Sequence, residues 1–139
     1  MSATDVDYER LLAFRTALRR FLQWSEQEAL AAGLTSAQYQ LLVVIRGMGD
    51  PPGPTVGEIA AELLVRHHSA GELVHRAEEA GLVRTHADAA DHRVVRASLT
   101  GQGRAALLAL APRHIEEIKR LAPLIGRLAL PDVVASRAR

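Results

Sequence analysis

Apolar residues recur at helical spacing over residues 7–32, where Leu11, Phe14, Leu18, Phe21 and Leu22 share a face. Gly33 is placed to end that helix. Thr35 or Ser36 caps a second helix, with Tyr39, Leu42, Val43 and Met48 on a broad apolar stripe. The run Asp50-Pro51-Pro52-Gly53-Pro54 cannot continue a helix and predicts a turn or loop. Thr55 then N-caps a short third helix, and Glu58 three residues on completes a capping box. Val56, Ile59, Ala60 and Leu63 form its inner face. A turn near residues 65–67 leads to a fourth helix over 68–80, with Ala70, Leu73, Val74 and Ala77 inward and Gly81 as its stop.

From residue 82 the helical period gives way to a β-like one. Residues 82–86 read as a strand and 87–93 as a polar loop with Asp88, Asp91 and His92. Residues 94–99 alternate, placing Val95, Ala97 and Leu99 on one side and Val94, Arg96 and Ser98 on the other. Thr100 caps a last long helix with a stripe of Leu107, Leu110, Ala111, Ile115, Ile118 and Leu121. Pro112 is expected to kink it, Pro123 to start a separate short helix to about residue 130, and the tail to fray. The order predicts a mainly α chain with a small β-hairpin wing. A winged helix-turn-helix lobe covers about 35–100, with helical regions at about 7–32 and 101–130, in one domain of 1–139. In such a lobe the second helix of the pair enters the DNA major groove, and here that is the fourth helix.

Composition narrows the functional classes. The 139 residues are 48% hydrophobic, enough for one sizeable core, and include no cysteine. Disulfides, thiolate catalysis, thiol redox sensing and cysteine zinc sites are thereby excluded. The opening MSATDVDYER lacks a basic start followed by an apolar run, and no apolar stretch nears the ~20 residues of a membrane span, so a cytoplasmic location is expected. The formal charge of +1 is small for a nucleic-acid binder. All basic residues except Lys119 are arginine, which suits forked contacts to phosphate or guanine.

Three segments resemble the MarR family of bacterial regulators. They are GLTSAQYQLLVVI (33–45), the stretch from TVGEIAAELLV to LVHRAEEAGLVR (55–84), and DHRVVRASLTGQG (91–103) with its Asp-x-Arg and Leu-Thr-x-x-Gly pattern. The resemblance covers roughly residues 7–130. It implies a homodimer whose terminal helices interlock above two winged lobes, bound to a pseudo-palindromic operator in double-stranded DNA. Leu11, Leu12, Leu121, Leu124, Ile125 and Leu128 are the expected dimerisation residues, since a single short lobe offers little to cover them. Half-sites would lie about one helical turn apart, roughly 10 bp.

Within that resemblance Arg93 matches the wing arginine, a contact to the minor groove or backbone, and Asp91 matches the acid expected to hold it. On the fourth helix His67, His68, Ser69, Glu72, His75 and Arg76 lie off the apolar stripe, with His68 and Ser69 at the end where recognition helices meet base edges. Arg84 and His86 would assist the wing. Gly71 and Glu72 depart from the family pattern: a helical glycine costs about 1 kcal/mol, and Glu72 repels phosphate but suits cytosine N4. From Arg66 to Arg104 six arginines face five acids, with five histidines among them. Histidine charge responds to pH near neutrality, so tighter DNA binding is expected at pH 6 than at pH 8. Equal salt-corrected affinities would count against this.

Other chemistries find less support. His67 and His68 point about 100° apart on a helix, and His68 and His75 lie two turns apart, so no metal or other cofactor is expected. Ser25, Ser36, Ser69 and Ser98 lack a nucleophile-elbow setting, and no phosphate-binding glycine loop is present, so no enzyme is expected. The resemblance also implies a small aromatic or anionic effector near Phe14, Phe21, Trp24 and Tyr39, residues that otherwise read as core. The small net charge and Glu72 leave a rival reading: a winged-helix dimer binding a protein partner or small ligand, with little DNA affinity.

Overall fold

The computed structural model describes residues 2–129, without the side chains of 124, 125 and 127–129. Five helices and one hairpin follow in order: α1 (Asp5–Ala31), α2 (Ser36–Met48), α3 (Val56–Leu63), α4 (His67–Glu79), β1 (Val83–Ala87), β2 (Val95–Leu99) and α5 (Gly101–Ala129). They divide into a helical unit, the described parts of Met1–Glu28 and Ala111–Arg139, and a winged unit, Ala29–Leu110. No single described helix is long and apolar enough to cross a membrane.

Local chemistry sets most boundaries of the winged unit. Thr35 and Gln38 satisfy each other's backbone N–H at the start of α2, as Thr55 and Glu58 do at α3. The α3 helix ends on Leu64 in the left-handed region, φ 55°, with its N–H bonded to the carbonyls of Ala60 and Ala61. That turn delivers the chain to α4, capped by Arg66 without a side-chain bond. The hairpin is antiparallel, with Val83 opposite Leu99 and Ala87 opposite Val95. Gly53, Pro54 and Thr55 lie along the free edge of β2: Ala97 N–H donates to the Pro54 carbonyl at 3.0 Å, and Thr55 bridges Arg96.

The core of this unit gathers Leu41, Leu42, Ile45, Ile59 and Val83, all fully buried, with Ala70, Val74 and Ala77 of α4 and Leu110 of α5 around them. At the hairpin's end, Thr100 Oγ1 donates to the Gly81 carbonyl at 2.6 Å and accepts the Gly103 N–H at 3.0 Å. A Cβ on Gly103 would stand 2.0 Å from the Leu82 carbonyl oxygen. The Leu-Thr-x-x-Gly pattern is therefore a packing device: threonine caps α5, and glycine lets α5 meet the chain entering β1.

In the helical unit α1 and the distal part of α5 meet through side chains. Arg113 pairs with Glu28 at 2.7 Å, and the buried His114 ring lies 4.8 Å from Trp24 with Nε2 2.8 Å from Ser25 Oγ.

Several expectations are corrected. The α1 helix begins at Asp5, because Thr4 accepts the Asp7 N–H and Asp7 answers by accepting the Thr4 N–H. Val43 and Met48 are exposed, and the buried stripe of α2 is Tyr39, Leu41, Leu42 and Ile45. Val95 is exposed near the hairpin tip, while Ala97 and Leu99 are buried as expected. Pro123 starts no separate helix, since α5 runs through both Pro112 and Pro123. A proline forfeits one helical N–H bond and crowds one carbonyl, a local cost that need not end the helix. Residues 130–139, where a frayed tail was expected, lie outside the described residues.

Candidate nucleic-acid interface

The α4 helix is fastened by one face only. Ala70, Val74 and Ala77 are buried, while His67, His68, Ser69, Glu72, His75 and Arg76 are all exposed. At 100° per residue, positions 68, 72, 75 and 79 fall within about 60° of one another, opposite the buried alanines. These four form two imidazole–carboxylate contacts, each one turn long: His68 to Glu72 at 3.4 Å and His75 to Glu79 at 3.0 Å. The outward surface of the helix thus alternates imidazole and carboxylate, with Arg76 beside them.

Beside α4 stands the hairpin. Arg84 and His86 are exposed on β1. Arg93 is 91% exposed at the tip, yet Asp91 holds it: Nε and the backbone N–H both donate to Oδ1 at 3.1 Å, and Nη2 donates to Oδ2 at 3.2 Å. The Arg93 guanidinium first, and its backbone N–H second, keep the Asp91 carboxyl below the usual carboxylate range. Between α3, α4 and the wing runs a groove of about 540 Å³ that brings together His67, Gly71, His75 and Arg93 over a floor that includes Val56 and Val74. Ser69, Glu72, Arg76, Arg84 and His86 lie outside its lining.

The residues that set the wing's pose were not singled out from sequence. Arg96 Nε donates to Asp88 at 2.6 Å, and its Nη1 donates to the Gly53 carbonyl at 2.8 Å. Asp88 is held below the ordinary carboxylate range chiefly by Arg96, then by the Asp91 N–H. Glu78 at the end of α4 accepts both the hydroxyl and the N–H of Thr85 on β1, 2.8 and 2.7 Å away, which lowers its pKa. The buried Asp50 accepts the Leu99 N–H at 3.0 Å and pairs with Arg104 at 3.1 Å. A signal for the first tie was present: opposite charges at 88 and 96 flank a hairpin whose strands pair His86 with Arg96.

In the helical unit, Leu11 and Leu12 are exposed and Leu121 is half-buried; the side chains of Leu124, Ile125 and Leu128 lie outside the described residues. Arg20, Phe21, Trp24, Glu117 and Arg120 line a groove of about 400 Å³ there. Tyr39 is instead part of the winged unit's core. Among the described residues no three His, Cys, Asp or Glu side chains converge as a metal site.

Residues 32–94 match the family model of the MarR family. No curated protein matches the chain significantly. Among solved structures, AbsC, a MarR family transcriptional regulator from Streptomyces coelicolor, is similar over 100% of this chain and 99% of its own, at 21% identity and a TM-score of 0.76. CouR from Rhodococcus jostii RHA1, bound to p-coumaroyl-CoA, is 23% identical over 92% of this chain and 84% of its own, with a TM-score of 0.69. A mutant of MepR from S. aureus bound to an oligodeoxyribonucleotide is 21% identical over 99% and 91%, with a TM-score of 0.64. At these identities the likeness is one of fold. Residues 32–94 thus match the MarR family model, in a chain whose fold is the winged-helix fold of solved MarR-family transcriptional regulators.

Proposed function

We propose that the protein is a homodimeric, sequence-specific DNA-binding regulator that represses transcription by occupying a promoter. The observation that carries this reading is α4. It is a 13-residue helix anchored on small buried residues, with its whole opposite face polar and exposed beside an exposed wing arginine. A helix so mounted can enter a major groove without disturbing the core behind it. The fold shared with the DNA-bound MepR mutant supports the same reading. His67, His68, Ser69, Glu72, His75 and Arg76 would face bases or phosphates, with Arg84, His86 and Arg93 anchoring the wing and Asp91 orienting Arg93.

A small aromatic or anionic effector would relieve repression by binding unequally to the DNA-competent and incompetent states. The groove with Arg20 beside Phe21 and Trp24 suits such a ligand, with Arg120 there paired to Glu117, and the p-coumaroyl-CoA bound to CouR supports a ligand on this fold. One feature favours the rival partner-binding reading. Glu72 and Glu79 on α4, with Asp91 across Arg93, reduce the positive potential that draws DNA.

Affinity selection of sheared source-genome DNA on the purified protein, at two salt concentrations, separates the two. The regulator reading expects a shared inverted repeat with half-site centres about 10 bp apart at both salts. Random fragments, retained only at low salt, would leave non-specific attraction and favour the partner reading.

A further inference from the structure

We infer that Glu72, with His68, is the specificity-determining pair of the recognition helix and reads a C·G base pair in each half-site. This rests on the DNA-binding reading above and adds the base it selects. Glu72 is 58% exposed on the outward face of α4, in its N-terminal half, and the His68 imidazole lies 3.4 Å away and is 85% exposed. Both side chains are more than half exposed and pair with each other, which leaves them within reach of a ligand laid along the helix.

The chemistry selects one base pair. An ionised carboxylate only accepts hydrogen bonds. In the major groove the amino donors are cytosine N4 and adenine N6, while guanine and thymine present acceptors that repel the carboxylate. Adenine's N6 stands beside its own N7 acceptor, which also repels it. Cytosine N4 has only the C5–H edge beside it on its base. The partner guanine offers O6 and N7 as acceptors, and the imidazole one turn earlier carries an N–H donor. One acceptor and one donor, side by side, complement the C·G edge.

Gly71 supplies a second, independent observation. It stands in the middle of a helix, yet nothing lies within 4 Å of the place its Cβ would occupy. The chain itself therefore does not require glycine there. The missing methyl leaves open space where Gly71 lines the groove between α3, α4 and the wing, one residue before Glu72, so a DNA strand can approach the backbone closely there.

The test is selection from randomised duplex DNA with the wild-type protein, Glu72→Ala and Glu72→Gln. Both substitutions alter an exposed helical position, and melting curves on each variant check that folding is kept. The expected result is a cytosine at one symmetric position per half-site for wild type, where changing it to thymine weakens binding roughly tenfold. Glu72→Ala should lose the preference at that position alone, and Glu72→Gln should move it to adenine, which glutamine grips through N6 and N7. A shared repeat selected equally by wild type and Glu72→Ala overturns this assignment and leaves the regulator reading standing. Selection of no shared sequence by wild type overturns both.

Discussion

Arg93 shows how a single residue can be exposed and yet poised. Its guanidinium projects from the wing tip, but Asp91 grips it through two side-chain bonds and its backbone N–H. If the proposed DNA contact holds, such a pair would reduce the rotamer freedom lost when the arginine meets a narrow, electronegative groove. Arg93→Ala is expected to weaken binding to selected and random DNA by a similar factor and to lower the salt slope by about 1 for each lost phosphate contact. Salt titrations on both DNA types check this, and an unchanged affinity and slope would remove Arg93 from the interface. Gly53 is constrained in the opposite way. Its φ is +84° and a Cβ would meet the Ala97 carbonyl oxygen at 2.0 Å. Gly53→Ala must push the 53–55 segment off the edge of β2 and should cost more than about 1 kcal/mol. Urea unfolding measures that cost, and an unshifted midpoint would contradict the packing described. A loop was legible at this position from its prolines. The need for glycine was not, because it arises from a strand more than forty residues downstream.

At the scale of elements, charged ties add to the buried Val83, Ala97 and Leu99 of the two strands in setting the wing's pose. Asp88 and Arg96 lock the hairpin to the Gly53 carbonyl, and Glu78 ties the end of α4 to Thr85. Each of these carboxylates titrates below its ordinary value in the folded chain. A folded-state pKa below the unfolded one means that the folded state binds fewer protons, so its contribution is present above the unfolded pKa, near 4, and fades as pH falls through the folded value. Thermal melts should therefore show Asp88→Ala less stable than wild type at pH 7, with the gap closing toward pH 3. An equal melting temperature at pH 7 would mean the tie contributes nothing. The elements themselves were legible because Thr35, Thr55 and Thr100 cap on local rules and Ile59, Val74 and Leu99 follow helical or alternating periods. The candidate site was less so. The Asp88–Arg96 and Glu78–Thr85 contacts depend on how neighbouring elements dock, and the His–Glu alternation on α4 becomes visible once one face is known to be buried.

For the whole molecule, the helical unit poses the remaining question of what covers it. Along the 27 residues of α1 only Ala29 is buried, while Leu11, Leu12, Leu18 and Leu22 are each 45% exposed or more, as are Ile115 and Ile118 of α5. Fully burying one such side chain contributes about 1.5–3 kcal/mol, so this much uncovered apolar surface favours association over solvent exposure. A second copy of the chain is the occupant that would also bring two α4 helices to an inverted repeat. Sedimentation should give twice the chain mass for the wild type, with a melting temperature that rises with protein concentration. Leu11→Asp combined with Leu12→Asp places two charges on that surface and should shift the population toward monomer. Because both substitutions lie outside the winged unit, its core and α4 keep their contacts, and the monomer should still recognise a single half-site while losing the gain from occupying two at once. A doubly substituted protein that remains a full-strength dimer would place the contact elsewhere on the chain. One that becomes monomeric yet binds the full repeat as tightly as wild type would show that pairing of the winged units does not depend on these helices.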